Sequence, residues 1–261
     1  MEEPAPSSPI LMLELFQTAL AQDGLIWICL AGFVAGLVRG FSGFGTAMVF
    51  LPVAAQFLGP VNAILCLMAM DVIGPLPNLP GAWRDSKRNE LYKLLIATLV
   101  VLPFATILLT SMSPEFFRYT VSTVALTLLL LLMLGVRYRG EFRSWMLYGA
   151  GGLGGFLGGI SGVPGPPVIM IYMASENRPS VIRANNMLYL FGFDLLMVFV
   201  FLVRGLLTIP PLIIGLVAAV PYLLGNIVGK KIFNPEKEKI YRTVAYLIIA
   251  ISAIRGLPIW G

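Results

Sequence analysis

Residues 91–110, 117–135, 186–203 and 240–254 are long apolar runs, each interrupted by a single charged side chain. About 20 such residues, wound as an α-helix, match the ~30 Å hydrocarbon core of a bilayer. The rest of the chain cannot offset them. Hydrophobic residues make up 58% of the 261 and charged residues 12%, with a mean hydropathy of +0.87, whereas a soluble domain carries about 25% charged residues. A single soluble core would leave most of this apolar surface in water, so a soluble enzyme is excluded. Residues 61–79 and 208–228 read as two further spans. Prolines at 75, 77 and 80, and at 210, 211 and 221, are expected to bend or fray them, which membranes tolerate when neighbours satisfy the freed backbone groups.

The inventory narrows the chemistry. The chain has no histidine, which removes histidine metal sites and Ser-His or Cys-His catalytic pairs. Cys29 and Cys66 lie within apolar runs without CxxC spacing and read as packing residues. No glycine loop ends in GK[ST], so nucleotide is not the power source. No cofactor or metal is expected. The net charge of +5 reflects cytoplasmic loops rather than nucleic-acid binding. Glu2, Glu3 and Glu14 make residues 1–23 a poor signal peptide. Residues 9–21 read as a short amphipathic helix on the bilayer surface or against the bundle.

Two segments are built differently. Residues 25–38 are apolar, Arg39-Gly-Phe-Ser-Gly-Phe-Gly45 follows, and 46–58 are apolar again. Residues 145–159 are apolar and Gly-rich, then come Ile160-Ser-Gly-Val-Pro-Gly-Pro166 and a short apolar arm, 167–175. A fourteen-residue arm rises only about 21 Å, past the midplane but not across. Each segment is either one broken span or a hairpin returning to its own side. Single spans would divide the basic residues about equally between the two sides. Hairpins would leave only Arg118, Arg204 and Arg255 on one side and place the others, Arg39 in the break aside, on the opposite side. The positive-inside rule selects hairpins, with both termini outside the cytoplasm.

The halves also repeat. Gly36, Gly40, Ser42 and Gly43 superpose on Gly155, Gly159, Ser161 and Gly162; Asn62 and Asp71 fall on Asn185 and Asp194; Pro103 matches Pro221; Pro114-Glu115 matches Pro235-Glu236. The predicted fold is therefore an all-α polytopic membrane protein of two repeats, 24–140 and 141–261. Each is a helix-break-helix hairpin plus three transmembrane helices. Three crossings is an odd number, so the second repeat is inverted, a plan that secondary transporters use with the substrate near the midplane.

Gly32-Phe-Val-Ala-Gly36-Leu-Val-Arg-Gly40-Phe-Ser-Gly43-Phe-Gly45, with Pro52 after it, and Gly151-Gly-Leu-Gly-Gly155-Phe-Leu-Gly-Gly159-Ile-Ser-Gly162-Val-Pro-Gly165-Pro-Pro167 carry a likeness to a known family. With the duplicated layout, the chain resembles the TauE/SafE family of membrane anion permeases from about Gly24 onward. The resemblance implies export of sulfite or a small organosulfonate such as sulfoacetate from the cytoplasm. Arg39, Phe41 and Phe44 depart from the family's usual first glycine run.

At each hairpin tip the second arm begins, so its N-terminal amides and positive dipole end point into the protein and attract anions. Gly40, Gly43, Gly45, Gly159, Gly162 and Gly165 let a ligand approach the backbone, and Ser42, Thr46 and Ser161 add hydroxyl donors. Two facing tips would form a cradle with donors on both sides. Arg39 is an anion clamp or a structural partner of Asp71, Asp194 or helix-end carbonyls. Asp71 and Asp194 are candidate proton carriers or structural carboxylates. Asn62, Asn78, Asn185, Asn186 and Asn226 are secondary candidates, Asn62 and Asn185 also as N-caps of their own helices. The four-residue spacing of Gly32, Gly36 and Gly40, and of Gly151, Gly155 and Gly159, is that of close helix packing.

Both breaks read G-x-S-G, but without histidine, and with every lysine at a loop or its margin, a serine protease lacks its base. A channel with glycine-rich tips and an ion-coupled importer are the other readings. The expectation is a multi-pass secondary transporter of small anions in a bacterial inner membrane. Its partners are the small anionic substrate and the lipid bilayer, and assembly as a homodimer is compatible with the sequence.

Overall fold

The long apolar runs form helices, and prolines set where several of them begin. Pro60, Pro114 and Pro179 open helices, a position where the missing N–H is not needed. A computed structural model describes residues 16–134, 143–173, 175 and 177–259. In the first half α1 (Leu25–Ser42) and α2 (Thr46–Ala54) form a broken pair, followed by α3 (Pro60–Asp71), α4 (Leu79–Asp85), α5 (Arg88–Ser111) and α6 (Pro114–Met133). The second half repeats the order with α7 (Ser144–Ser161), α8 (Gly165–Met173), α9 (Pro179–Val203), α10 (Ile209–Ile232) and α11 (Glu238–Gly256). No strand occurs among the described residues. Residues 16–20 are helical; the earlier part of the expected surface helix, and Arg137 and Arg139 of the basic loop, lie outside the described residues.

Among the described residues five helices, α1, α5, α6, α9 and α10, have the length and hydropathy to cross a membrane. The helix α11 is long enough but carries Glu238, Lys239, Arg242 and Arg255 toward its ends. Large apolar side chains such as Ile26, Phe104, Leu130, Val203 and Ile251 point outward, as lipid-facing residues must.

One expected span is not continuous. The run 61–79 stops at Asp71, passes through a turn at Gly74 and Pro75 and a 3-10 turn at Leu76–Asn78, and restarts as α4. Pro75, Pro77 and Pro80 supply no backbone N–H, so the helical ladder cannot be carried through them. The break leaves Asp71 at a helix end inside the protein.

The helices meet through their glycines. A Cβ at Gly36 would run into the Tyr222 carbonyl, and one at Gly40 into that of Asn226; Gly225 and Gly229 accept the Phe33 and Leu37 carbonyls in return. Along both helices the contacts rise together, so α1 and α10 run parallel. The other half repeats this: Gly151 lies on the Leu94 carbonyl, Gly155 on Thr98 and Gly159 on Ala105, so α7 runs parallel to α5. Each hairpin's first arm therefore packs on a long helix of the opposite half. Cys66 is buried in α3, where Gly215 of α10 comes against its carbonyl.

These contacts leave no room for a side chain. Overpacking costs about 1–3 kcal/mol even where a core can adjust. Gly36→Val and Gly155→Val should each lower the melting temperature in detergent by at least that equivalent, or prevent accumulation in membranes. Gly149→Ala, in α7 with open space around it, should leave the melting curve in place.

Candidate functional site

The first break is three residues long. Gly43, at φ 79°, stops α1 while its N–H donates to the Arg39 carbonyl at 2.8 Å. Gly45, at φ 96°, turns the chain into α2. Both lie in the left-handed region, where a side chain strains the backbone. The second break begins the same way, with Gly162 at φ 71° and its N–H on the Gly158 carbonyl at 2.7 Å. Val163 and Pro164 then lead into α8 at Gly165.

The turn at Gly43–Gly45 brings Arg39, on the last turn of α1, against Thr46, the first residue of α2. Arg39 Nη1 donates to Asp71 Oδ2 at 2.6 Å and to Thr46 Oγ1 at 3.2 Å. Asp71 Oδ1 accepts from the Tyr222 hydroxyl at 2.5 Å. Four helices, α1, α2, α3 and α10, are thus tied at one point. Every hydrogen bond of the guanidinium among the described residues uses Nη1. Nε and Nη2 present an edge suited to two oxygens of one anion.

Two cavities adjoin this point. The larger, about 540 Å³, is lined by Arg39, Ser42, Gly43, Asn78, Asn186 and Asn226, with Arg183, Lys230 and Arg242. No acidic residue is among the described residues that line it. The smaller, about 70 Å³, lies between the two breaks, with Gly45, Thr46 and Asp71 on one side and Gly162, Gly165 and Asp194 on the other. Arg39, Phe44, Ile169 and Leu190 line both cavities and form the wall between them.

The structure therefore gathers most of the candidates read from the sequence and leaves some out. Ser161 lines neither cavity: it is fully buried, and its hydroxyl donates to the Leu157 carbonyl at 2.6 Å. Ser42 lines the larger cavity, but its hydroxyl is held by the Val38 and Phe44 carbonyls at 2.7 and 2.9 Å. Helix-end hydroxyls bond back to the preceding turn when no other acceptor lies closer. Neither hydroxyl is an anion donor in this arrangement.

The asparagine caps are also corrected. The helix α3 starts at Pro60 with Gly59 as its cap, so exposed Asn62 lies within its first turn. Asn185 is buried inside α9 and caps a different helix: its Oδ1 accepts from the Lys87 amide, just before α5, at 3.0 Å. Its Nδ2 donates to the Tyr172 hydroxyl at 2.7 Å and to Glu90 at 3.4 Å.

The cradle is one-sided. No side chain caps α2, so its first amides are unused by the helix. The helix α8 instead begins Gly165-Pro166-Pro167, and proline has no N–H. Arg39 and the start of α2 offer donors at the small cavity, while Pro166 and Pro167 take two amides away from the start of α8 on the other side.

Tyr222 was not singled out in the sequence. Its signal was a hydroxyl inside an apolar helix, where it must find a partner. Arg183, Lys230 and Arg242 read in sequence chiefly as topology signals, with anion gathering a minor role, yet they line the larger cavity.

In this polytopic helical membrane protein the two discontinuous helix pairs meet at a small cavity. The family described as "Sulfite exporter TauE/SafE" matches residues 28–256, and the chain belongs to that family, whose members are transporters rather than enzymes. No curated protein and no solved structure matches the chain.

The Arg39 and Asp71 side chains are 18% and 17% exposed, so their pairing is worth less than the roughly 3–5 kcal/mol lost when a fully buried pair is broken. Asp71→Ala should destabilise the protein by about 1–3 kcal/mol. Adding Arg39→Ala should recover part of that loss in a double-mutant cycle read by thermal unfolding.

Proposed function

We propose that this protein is a secondary transporter that exports small anions, sulfite or an organosulfonate such as sulfoacetate, from the cytoplasm. The observation that carries this reading is the larger cavity: Arg39, Arg183, Lys230 and Arg242 line it, and no acidic residue is among the described residues of its lining. Such a surface raises the local concentration of anions. Arg183, Lys230 and Arg242 belong to the group that the positive-inside rule assigns to the cytoplasm, so the cavity receives its cargo from that side. Arg39 at its inner end then offers the free edge of a guanidinium to a sulfonate or sulfite.

The exchange of packing partners supports an inverted arrangement. The pairing of α1 with α10 and of α7 with α5 is the same pairing with the halves interchanged. The two breaks meet at the small cavity, which supports a central site. Alternating access then consists of moving the wall of Phe44, Ile169 and Leu190, so that the anion held at Arg39 passes from the larger cavity into the smaller one and out. On this topology both termini lie outside the cytoplasm of a bacterial inner membrane.

Proteoliposomes loaded with sulfite, sulfoacetate, taurine or sulfate test this directly. Saturable efflux of sulfite or sulfoacetate is expected, at carrier rates and without the large currents of a channel. Arg39→Gln should weaken transport about 10–100-fold, the equivalent of losing a charge-assisted hydrogen-bonded pair of about 1.5–3 kcal/mol. Arg39→Lys should restore only part of it, because an ammonium lacks the planar fork. Wild-type flux in Arg39→Gln would remove the site.

A further inference from the structure

Arg39 and Asp71 leave one acid of the central region without a counterpart. Asp194 is the single charge in the apolar run 186–203 of α9 and lines the small cavity with Arg39 and Asp71. Asp71 is held at both oxygens, one by Arg39 and the other by Tyr222. Asp194 receives no hydrogen bond and makes no salt bridge among the described residues. The charged groups that act on it are Asp71 from α3 and Arg39 from α1. The other elements packed on α9 are α4, α5 and α8, and they bring it no charge. Glu90 of α5 and Tyr172 of α8 meet α9 at Asn185 instead, roughly 13 Å along the helix.

The charge balance has a direct consequence. With Asp194 ionised, two carboxylates face one guanidinium, and an anion entering the small cavity would be the third negative charge. With a proton on Asp194, Arg39 and Asp71 cancel, and the free guanidinium edge and the first amides of α2 face the anion unopposed. Occupation by an anion and protonation of Asp194 therefore favour each other, and by linkage the effect is reciprocal.

We propose that Asp194 is the proton-binding residue of the anion site, so that an anion and a proton occupy the central cavity together. The proposal rests on the anion-site reading above. The proton is taken from water onto an Asp194 oxygen as the anion binds and returns to water as it leaves; no other bond changes.

The test uses the full-length protein and methanesulfonate, whose own charge is constant from about pH 5.5 to 8.5. Calorimetry in buffers of different ionisation enthalpy counts the protons taken up on binding. Wild-type protein should take up a proton within this range, with affinity falling toward tenfold per pH unit where the uptake approaches one. Asp194→Asn should bind with an affinity that changes little with pH and take up none. Asp194→Glu should keep the uptake and move its midpoint, and Asp71→Asn should keep the uptake whatever its affinity. Uptake that persists in Asp194→Asn overturns the proposal. So does wild-type binding without uptake, a measurement that does not depend on any variant folding. Wild-type protein that binds neither methanesulfonate nor sulfoacetate at any of these pH values overturns the anion site itself, and this proposal with it.

Discussion

A guanidinium inside an apolar helical bundle has to be answered by a negative charge, and the answer here is Asp71. That requirement explains several features that look unrelated in the chain. The helix α3, ended by the prolines that follow it, presents Asp71 to Arg39 from its terminus. Three residues with two left-handed glycines must separate α1 from α2, because Thr46 has to return to the same nitrogen. Tyr222 must follow Pro221 in α10 to satisfy the second carboxylate oxygen. Remove the arginine and the convergence of four helices loses its purpose.

The ion pair sits within a framework set by backbone contact rather than by side-chain interlocking. In lipid, helices gain nothing by burying leucine against leucine, so close approach of small residues supplies the adhesion. Gly36 and Gly40 on one side, and Gly151 and Gly155 on the other, press onto carbonyls of the partner helix. The two halves keep this framework in common and differ in what they place on it. Position 39 is arginine in one half and its counterpart, Gly158, is bare; Thr46 opens one short helix and Gly165 with two prolines opens the other.

Much of this was legible in the residues. The helix-break-helix pairs and the packing role of the four-residue glycine spacing follow from local rules that act within a few residues. The pairing of Arg39 with Asp71 was foreseen as one option among several, because a buried arginine demands an acid but the sequence holds more than one. What could not be read were facts of long-range geometry. Nothing in the sequence near Asn185 says that it caps α5 rather than its own helix, and nothing near Ser161 says that it is sealed from the cavity. The fracture of the span at 61–79 was announced by its prolines; that they would end the helix rather than bend it depended on neighbours far along the chain.

The prolines at the mouth of α8 have a further consequence. A binding place whose two walls were chemically alike would grip its cargo with equal strength whichever door stood open. Here one wall carries the cation and the uncapped amides of α2, while two prolines remove amides from the start of the other. The two copies share a frame, and the loss of likeness between them makes the walls of the cavity unequal.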